Sequence, residues 1–306
     1  MMSNKRAARV FGVILGAVAL LLCLVISFGG MLFPGFVPAW EDVFAAVGLD
    51  SQDESSYIAV LDVGNADCIV AYSRGVCVLI DSGDIGDNGA KVAQYLKSRN
   101  IKQIDYVFLT HYHSDHAGGV RRVLDEFPVG IISLPPVTGL EEDPNLAADI
   151  HRTVKDKNIK SITIESGQSF SAGDFEFEVL MLDSSAISEN DRSAVLKAQI
   201  GDKKLLFMAD ISANGEKQLL EKGFDLKSDF IKIAHHGSTS SGSEEFLRAV
   251  DPKYAAISCG TRWASVPSAE VLERLRNIGA DIKRTDINSH IVYYFDEGGI
   301  RIETRQ

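Results

Sequence analysis

The chain reads as an α/β protein, a four-layer αββα sandwich preceded by one membrane-spanning helix. Three observations predict it. Two mainly β halves follow one another, each with helical segments set between its strands, which is the pattern of two sheets packed face to face with helices outside. Each half contains a strand that runs directly into a cluster of histidines, at THYHSDHAGG (residues 110–119) and at IKIAHHGS (231–238). An apolar run at the N-terminus stands apart from both halves, behind a polar tether.

That run, Val10 to Phe33, holds one serine and no charge, and Lys5, Arg6 and Arg9 precede it. It is long enough to cross a bilayer, and no small-residue cleavage site follows promptly, so an uncleaved anchor is expected over residues 10–33. The basic flank, residues 1–9, is expected to stay in the cytoplasm, which places the remainder outside. Pro34, Gly35 and Pro38 stop the helix, and DSQDESS closes a linker that reaches residue 56. The domain beyond it is expected to fill residues 57–306.

Net charge is −11, and residues 1–50 contribute none of it, because Lys5, Arg6 and Arg9 balance Glu41, Asp42 and Asp50. The folded part is therefore strongly acidic, which argues against binding a polyanion through a broad basic face. Cys68, Cys77 and Cys259 lie in strand-like runs without metal-type pairing and read as small core residues, the alternative being a Cys68–Cys77 bridge. Cys23 lies in the apolar N-terminus.

YIAVLDV, ADCIVAY and VCVLIDSG read as three strands. Asp81 ends the third, where a carboxylate either orients a histidine of the metal loop from behind or shapes a turn. A helix is expected over residues 88–99 with Val92, Tyr95 and Leu96 on its buried face. IDYVFLT is the next strand, and it delivers His111 and His113 to one ion. Asp115 and His116 face a second ion from the start of a helix, and Ala117, Gly118 and Gly119 let the backbone pass close to the metals. A helix from Gly118 to Phe127, the strand VGIISL and a helix opening at Pro144 and carrying His151 on a solvated face complete the first half.

Strands SITIE and FEFEVLML lead to a polar loop, DSSAISENDRS, in which Asn190 and Ser193 are candidate hydrogen-bond donors to substrate. AVLKAQI and KLLFMAD form a hairpin around Gly201 and Asp202. Asp210, at its end, either bridges two ions or caps the helix that follows. A strand is expected to end at His235 and His236, whose side chains then point to opposite sides. His235 is assigned as the metal ligand and His236 to the substrate cleft. YAAISCG, a helix from Ser268 to Gly279, and strands at DIKRTD, HIVYYFD and GIRIETR end the chain, with His290 read as structural.

These motifs resemble the metallo-β-lactamase fold, through THYHSDHAGG, Asp81, Asp210 and AHHGS. LDVGNADC, NDRSAVL, FMADI, IKIAHHGSTSS and KRTD look like the extracellular hydrolase-like domain of ComEC-type competence (DNA internalisation) proteins, over residues 57 to about 304. The resemblance implies that His111 and His113 hold one ion, Asp115 and His116 the other, that Asp210 bridges, and that the His235/His236 pair adds a ligand. Zn2+, as one or two ions, is the expected metal, with Mn2+ the alternative. Two departures bear on the site. Leu182 and Asp183 stand where relatives often place a ligating histidine, leaving Asp183, Asn190 or water to substitute, or one ion only. Ser265, Val266 and Pro267 replace a Gly-His-Pro.

The function expected is a membrane-anchored extracellular hydrolase, foremost a phosphodiesterase or nuclease acting through a metal-bound hydroxide, with Asp115, Asp210, His236 and Asn190 as catalytic residues. The hydroxide does not choose its electrophile, so a lactone or β-lactam is the alternative substrate. The alternative role is a catalytically weakened metal-binding module. Competence proteins carry a many-helix channel domain and only one span is expected here, which points to a separate membrane channel as partner.

Overall fold

The computed structural model describes residues 55–296 and 298–304, with Val25 alone before them, so the expected anchor over residues 10–33, Val25 apart, lies outside the described residues, as does Cys23. No helix among the described residues is long and apolar enough to cross a membrane.

Two sheets form the frame. The first has eight strands in the order β15-β14-β1-β2-β3-β4-β5-β6. They are β1 (Ser56–Val60), β2 (Ile69–Ser73), β3 (Val76–Ile80), β4 (Ile104–Phe108), β5 (Val129–Leu134), β6 (Lys160–Thr163), β14 (Ile291–Asp296) and β15 (Gly299–Thr304). The second has seven, in the order β13-β12-β11-β10-β9-β8-β7. They are β7 (Ser169–Ala172), β8 (Phe175–Met181), β9 (Val195–Ile200), β10 (Lys203–Phe207), β11 (Phe230–Lys232), β12 (Tyr254–Ile257) and β13 (Asp281–Arg284). In each sheet a hairpin region gives way to parallel strands, β3-β4-β5-β6 and β10-β11-β12-β13, where helices make the crossovers.

Four layers follow from three separate cores. Tyr57 and Ala59 of β1 face outward into a core with α1 (Asn88–Ser98), α3 (Val120–Glu126) and α4 (Pro144–Asp156). Ile58 and Val60, on the other face of the same strand, meet Phe177, Leu196 and Phe207 between the sheets. Leu206 and Ile231 face a third core with α5 (Ala213–Glu221), α6 (Glu244–Val250) and α7 (Ala269–Asn277). Strands buried on both faces are apolar at every position, which is why VCVLI and YIAV show no alternation.

Four expectations change in detail. Residues 169–172, left unassigned between SITIE and FEFEVLML, pair with β8 as a further strand. The helix expected from Gly118 is two: α2 (Ser114–Ala117) and α3, broken at Gly118 and Gly119. Those glycines do not make room for metal. A Cβ at Gly118 would lie 2.4 Å from Ile85 N, and one at Gly119 2.1 Å from Ser82 O, so they let the helix entry press against the loop that follows β3. KRTD leaves β13 for a single helical turn, α8 (Thr285–Asn288). His151 is exposed, yet its Nε2 lies 2.8 Å from the Tyr112 hydroxyl. Cys68, Cys77 and Cys259 are buried and free, as core residues should be.

Candidate metal centre

Both histidine clusters, and Asp210, arrive at one edge of the sandwich. Beyond β4 the chain continues extended through Thr110 to His113, which precedes α2 with φ −60° and ψ 145°, so Asp115 and His116 sit in that helix's first turn. Beyond β10, Ala209 takes φ 46°, a left-handed turn that presents Asp210 to the histidines. The alternative of a helix cap does not apply to Asp210, because Ser212 Oγ accepts the Asn214 N–H at 3.1 Å and caps α5 itself.

Two groups of ligand-type atoms lie within 4.8 Å of one another and share a member: Asp115, His116, Asp210 and His236, and His111, His113 and Asp210. The Nε2 atoms of His111, His113 and His116 and Oδ1 of Asp210 are buried without a hydrogen-bond partner. Unpaired polar atoms are costly in a protein interior. His116 Nε2 stands 3.2 Å from Asp210 Oδ1 without forming a hydrogen bond, close to the separation of about 3.4 Å expected of two ligands each roughly 2.1 Å from one ion. The residues fit a divalent metal.

Behind the ligands the imidazoles are oriented. Asp81, 1% exposed and with φ 57°, accepts from Thr110 N at 2.8 Å and Thr110 Oγ1 at 2.8 Å, and its Oδ2 lies 2.7 Å from His116 Nδ1. This is the orienting carboxylate expected, and it turns Nε2 of His116 toward the group. His111 Nδ1 lies 3.0 Å from Thr110 Oγ1, and His236 Nδ1 3.0 Å from the Ser258 carbonyl. A third acid group, Asp67, Asp81 and His116, is accounted for without an ion. Asp81 is committed as described, and Asp67 Oδ2 pairs with Lys232 Nζ at 2.9 Å.

Charge is concentrated accordingly. Burial opposes protonation of His116, but Asp210 and Asp81 at its two nitrogens outweigh it and hold its pKa well above the usual imidazole value. Burial likewise opposes ionisation of Asp210, and His116 and His236 override it, so its carboxyl lies well below the usual range. For Asp115 burial is overcome by the hydrogen bond from His236, and the pKa falls to about 2. His111, buried beside the positive His116, lies well below the imidazole range and is a neutral donor.

The structure exchanges the two expectations for the His-His pair. β11 ends at Lys232, and His235 and His236 occupy a tight turn with φ 49° and 55°, so strand alternation does not govern them. His236 is the buried one, 3.3 Å from Asp115 Oδ2, and belongs to the four-residue group. The His235 side chain is 31% exposed, with Nε2 3.9 Å from Asp210 Oδ2, and lies outside both groups. Left-handed backbone at two successive non-glycine residues has no local sequence signal.

In the loop between β8 and β9, neither expected substitute joins the ligand groups. Asp183 turns back to Ser185, accepting its N–H at 3.1 Å and its hydroxyl at 2.6 Å. Asn190 Oδ1 and Ser193 Oγ are buried without partners. Glu189, which the sequence reading passed over, is 3% exposed, with Oε2 3.7 Å from His113 Nε2. Asp67 and Lys232 were missed too; a lysine inside a strand named only for its histidines was the available signal.

Asn65 Oδ1 accepts the N–H groups of Arg262 and Trp263, each at 3.1 Å, joining the LDVGN loop to the one after β12. Trp263, 38% exposed, thereby sits with its ring centroid 5.9 Å from that of His236.

Comparison with known proteins agrees with the geometry. The model of the "Metallo-beta-lactamase superfamily" matches residues 61–261. "ComE operon protein 3" of Bacillus subtilis is 28% identical over 81% of this chain, and "Competence protein ComA" of Neisseria gonorrhoeae 27% over 82%. The chain covers 34% of the length of each. Among solved structures, the metallo-beta-lactamase fold protein YhfI from Bacillus subtilis superposes with a TM-score of 0.54 at 12% identity, covering 78% of this chain and 99% of that one.

Proposed function

We infer the function from one premise: the chain belongs to the metallo-beta-lactamase superfamily, as a homologue of bacterial competence proteins. A metal-dependent hydrolase is the coarse reading that this membership supports. We propose more narrowly that it is a phosphodiesterase acting on nucleic acid, held at the membrane by residues 10–33 with its folded domain outside.

The observation that carries the hydrolase reading is the pair of groups meeting at Asp210. His111 and His113 on one side and Asp115, His116 and His236 on the other would hold two divalent ions, Zn2+ or Mn2+, with Asp210 common to both. Such ions supply Lewis acidity toward a phosphoryl oxygen and lower the pKa of water. The chain's own groups do the rest. Asp81 fixes the ring of His116. His235, exposed at the rim, is placed to donate a hydrogen bond to a substrate oxygen or a proton to the leaving group. Ser193 Oγ, on the loop before β9 and without a partner, is the neutral donor for a nonbridging oxygen.

A nucleic-acid substrate is supported by the resemblance to competence (DNA internalisation) proteins and by Trp263. An exposed indole beside the ligands, with the Arg262 guanidinium 5.8 Å from its centroid, is the kind of surface on which a base stacks. The acidic surface favours short or single-stranded substrates over long duplexes. The chain spans about a third of the length of these relatives, and a membrane channel is proposed as its partner.

The test uses the full chain in detergent, with bis-p-nitrophenyl phosphate, single-stranded DNA, a lactone and a β-lactam assayed beside Asp210→Ala. Cleavage of the two phosphodiesters that disappears in the variant supports the reading. Turnover only of the carbonyl substrates redirects it. Bound metal with no turnover of any of them leaves a metal-binding module.

A further inference from the structure

We propose that Glu189 is a ligand of the ion held by His111, His113 and Asp210, supplying a carboxylate where superfamily members with a histidine after β8 supply an imidazole. The inference deepens the two-ion reading of the site and rests on it.

The first group has the fewer protein donors. It contains three residues, whereas the second contains four. The loop between β8 and β9 is the segment that borders it, and its acids behave differently. Asp183 spends its carboxylate on Ser185. Glu189 is 3% exposed and its two oxygens are unlike. Oε2 accepts the Glu142 N–H at 2.5 Å and lies 3.8 Å from Arg192 Nη2, while Oε1 is buried with no partner. A carboxylate with one oxygen anchored and the other bare is the arrangement of a monodentate metal ligand, whose outer oxygen is normally hydrogen-bonded.

Arg192 does not neutralise that bare oxygen. Its guanidinium donates to the carbonyls of Ala186, Ile187 and Leu140 at 2.9, 2.9 and 2.6 Å, which fixes the loop and sets the carboxylate's position. A buried carboxylate calls for a compensating cation; Arg192 stands 3.8 Å from Oε2, and Oε1 is left without a partner. Oε2 is 3.7 Å from His113 Nε2, which sets the carboxylate beside that imidazole. Glu142 Oε2 is nearer, at 3.4 Å, but that side chain is 71% exposed and open to solvent. Glu189 stands outside the atoms grouped within 4.8 Å. Ligation therefore requires the carboxylate to swing toward His111, and Oε1 is the atom that no hydrogen bond restrains.

The experiment loads the metal-stripped full chain with Co2+, then reads bound cobalt by elemental analysis after desalting and the ligand field by visible absorption. Glu189→Gln, Glu189→Ala, Glu189→His and Glu142→Ala are compared with wild type, each checked for folding by circular dichroism. Two equivalents are expected in wild type and in Glu142→Ala. Glu189→Gln and Glu189→Ala should lose about one equivalent, through at least roughly tenfold weaker binding. Glu189→His should regain it with a shifted absorption band, because nitrogen replaces oxygen in the ligand field. Glu189→Gln keeps the shape and the accepted hydrogen bond, so wild-type occupancy and spectrum in that variant would overturn the assignment and leave Glu189 as a prop for His113. A wild type that holds one equivalent insensitive to Glu189 overturns it as well. Phosphodiester cleavage is scored separately: a Glu189-dependent spectrum without cleavage sinks the substrate proposal and leaves the ligand standing.

Discussion

Asp210 and Glu216 lie six positions apart in the chain, both essentially buried, at 1% and 0% exposure, and they do opposite work. Glu216 points from α5 to the start of α6, where its two oxygens accept the Gly242 and Ser243 N–H groups at 2.5 and 2.8 Å. Every lone acceptor there has a backbone donor, and the carboxylate joins two helices over the outer face of the second sheet. Asp210 has Oδ1 bare and is ringed by His111, His116, His235 and His236. Burial is the same in both regions; satisfaction is not. A buried acid whose bonds are complete holds the fold, and one left incomplete among imidazoles is waiting for a cation.

The sharpest way to break this contrast is substitution at both places. Asp210→Asn should lower phosphodiester turnover on the order of a thousandfold, as expected when a group at the reacting centre is lost, with bound metal reduced. Steady-state rates, elemental analysis and urea unfolding on one preparation would decide it. A variant with full rate removes Asp210 from the site. Glu216→Ala should do the reverse: about 2–3 kcal/mol less stability, because two N–H groups lose their acceptor, and kcat/KM at unchanged metal content.

Acidity separates the two regions more gently. The folded-state pKa of His116 is raised by Asp210 and Asp81, so its protonated form stabilises the metal-free chain fully below the unfolded imidazole value of about 6.5. That stabilisation is lost as pH rises through the raised folded pKa. Urea midpoints of chelator-treated protein should therefore decline with rising pH above neutrality. Metal binding removes the same proton, so cobalt or zinc affinity should climb over that range. Midpoints flat with pH in the stripped protein would show that His116 is not poised between the two carboxylates. The smallest effect is expected at His235, outside both ligand groups: His235→Ala should leave metal content unchanged and cut turnover roughly a hundredfold, at the low end of a proton-transfer contribution. His236→Ala should lose metal. Equal losses in the two variants would erase the distinction drawn between them.

Much of the sandwich was legible because its signals are local. Apolar runs such as VCVLI and IDYVF mark strands by themselves, and α1 shows its buried Val92, Tyr95 and Leu96 at helical spacing. β7 was not legible, since SFSA is short and half polar and becomes a strand only by pairing with β8.

His111, His113, Asp115 and His116 were legible for the same reason as the strands. Six residues leaving a strand tip have little freedom, so their side chains must converge wherever the rest of the chain goes. Asp81 and Asp210 were recognisable as strand-end carboxylates, and the structure alone chose between their alternatives, once Ser212 was found to cap α5 and His116 was found against Asp81. Which of His235 and His236 turns inward was decided by two left-handed residues, where strand alternation no longer applies. The pairing of Lys232 with Asp67 joins positions 165 residues apart, and that of Glu189 with His113 joins two separate loops. Spacing along the chain carries no information about such contacts, because they exist only once two sheets have packed and brought their loops to a common edge.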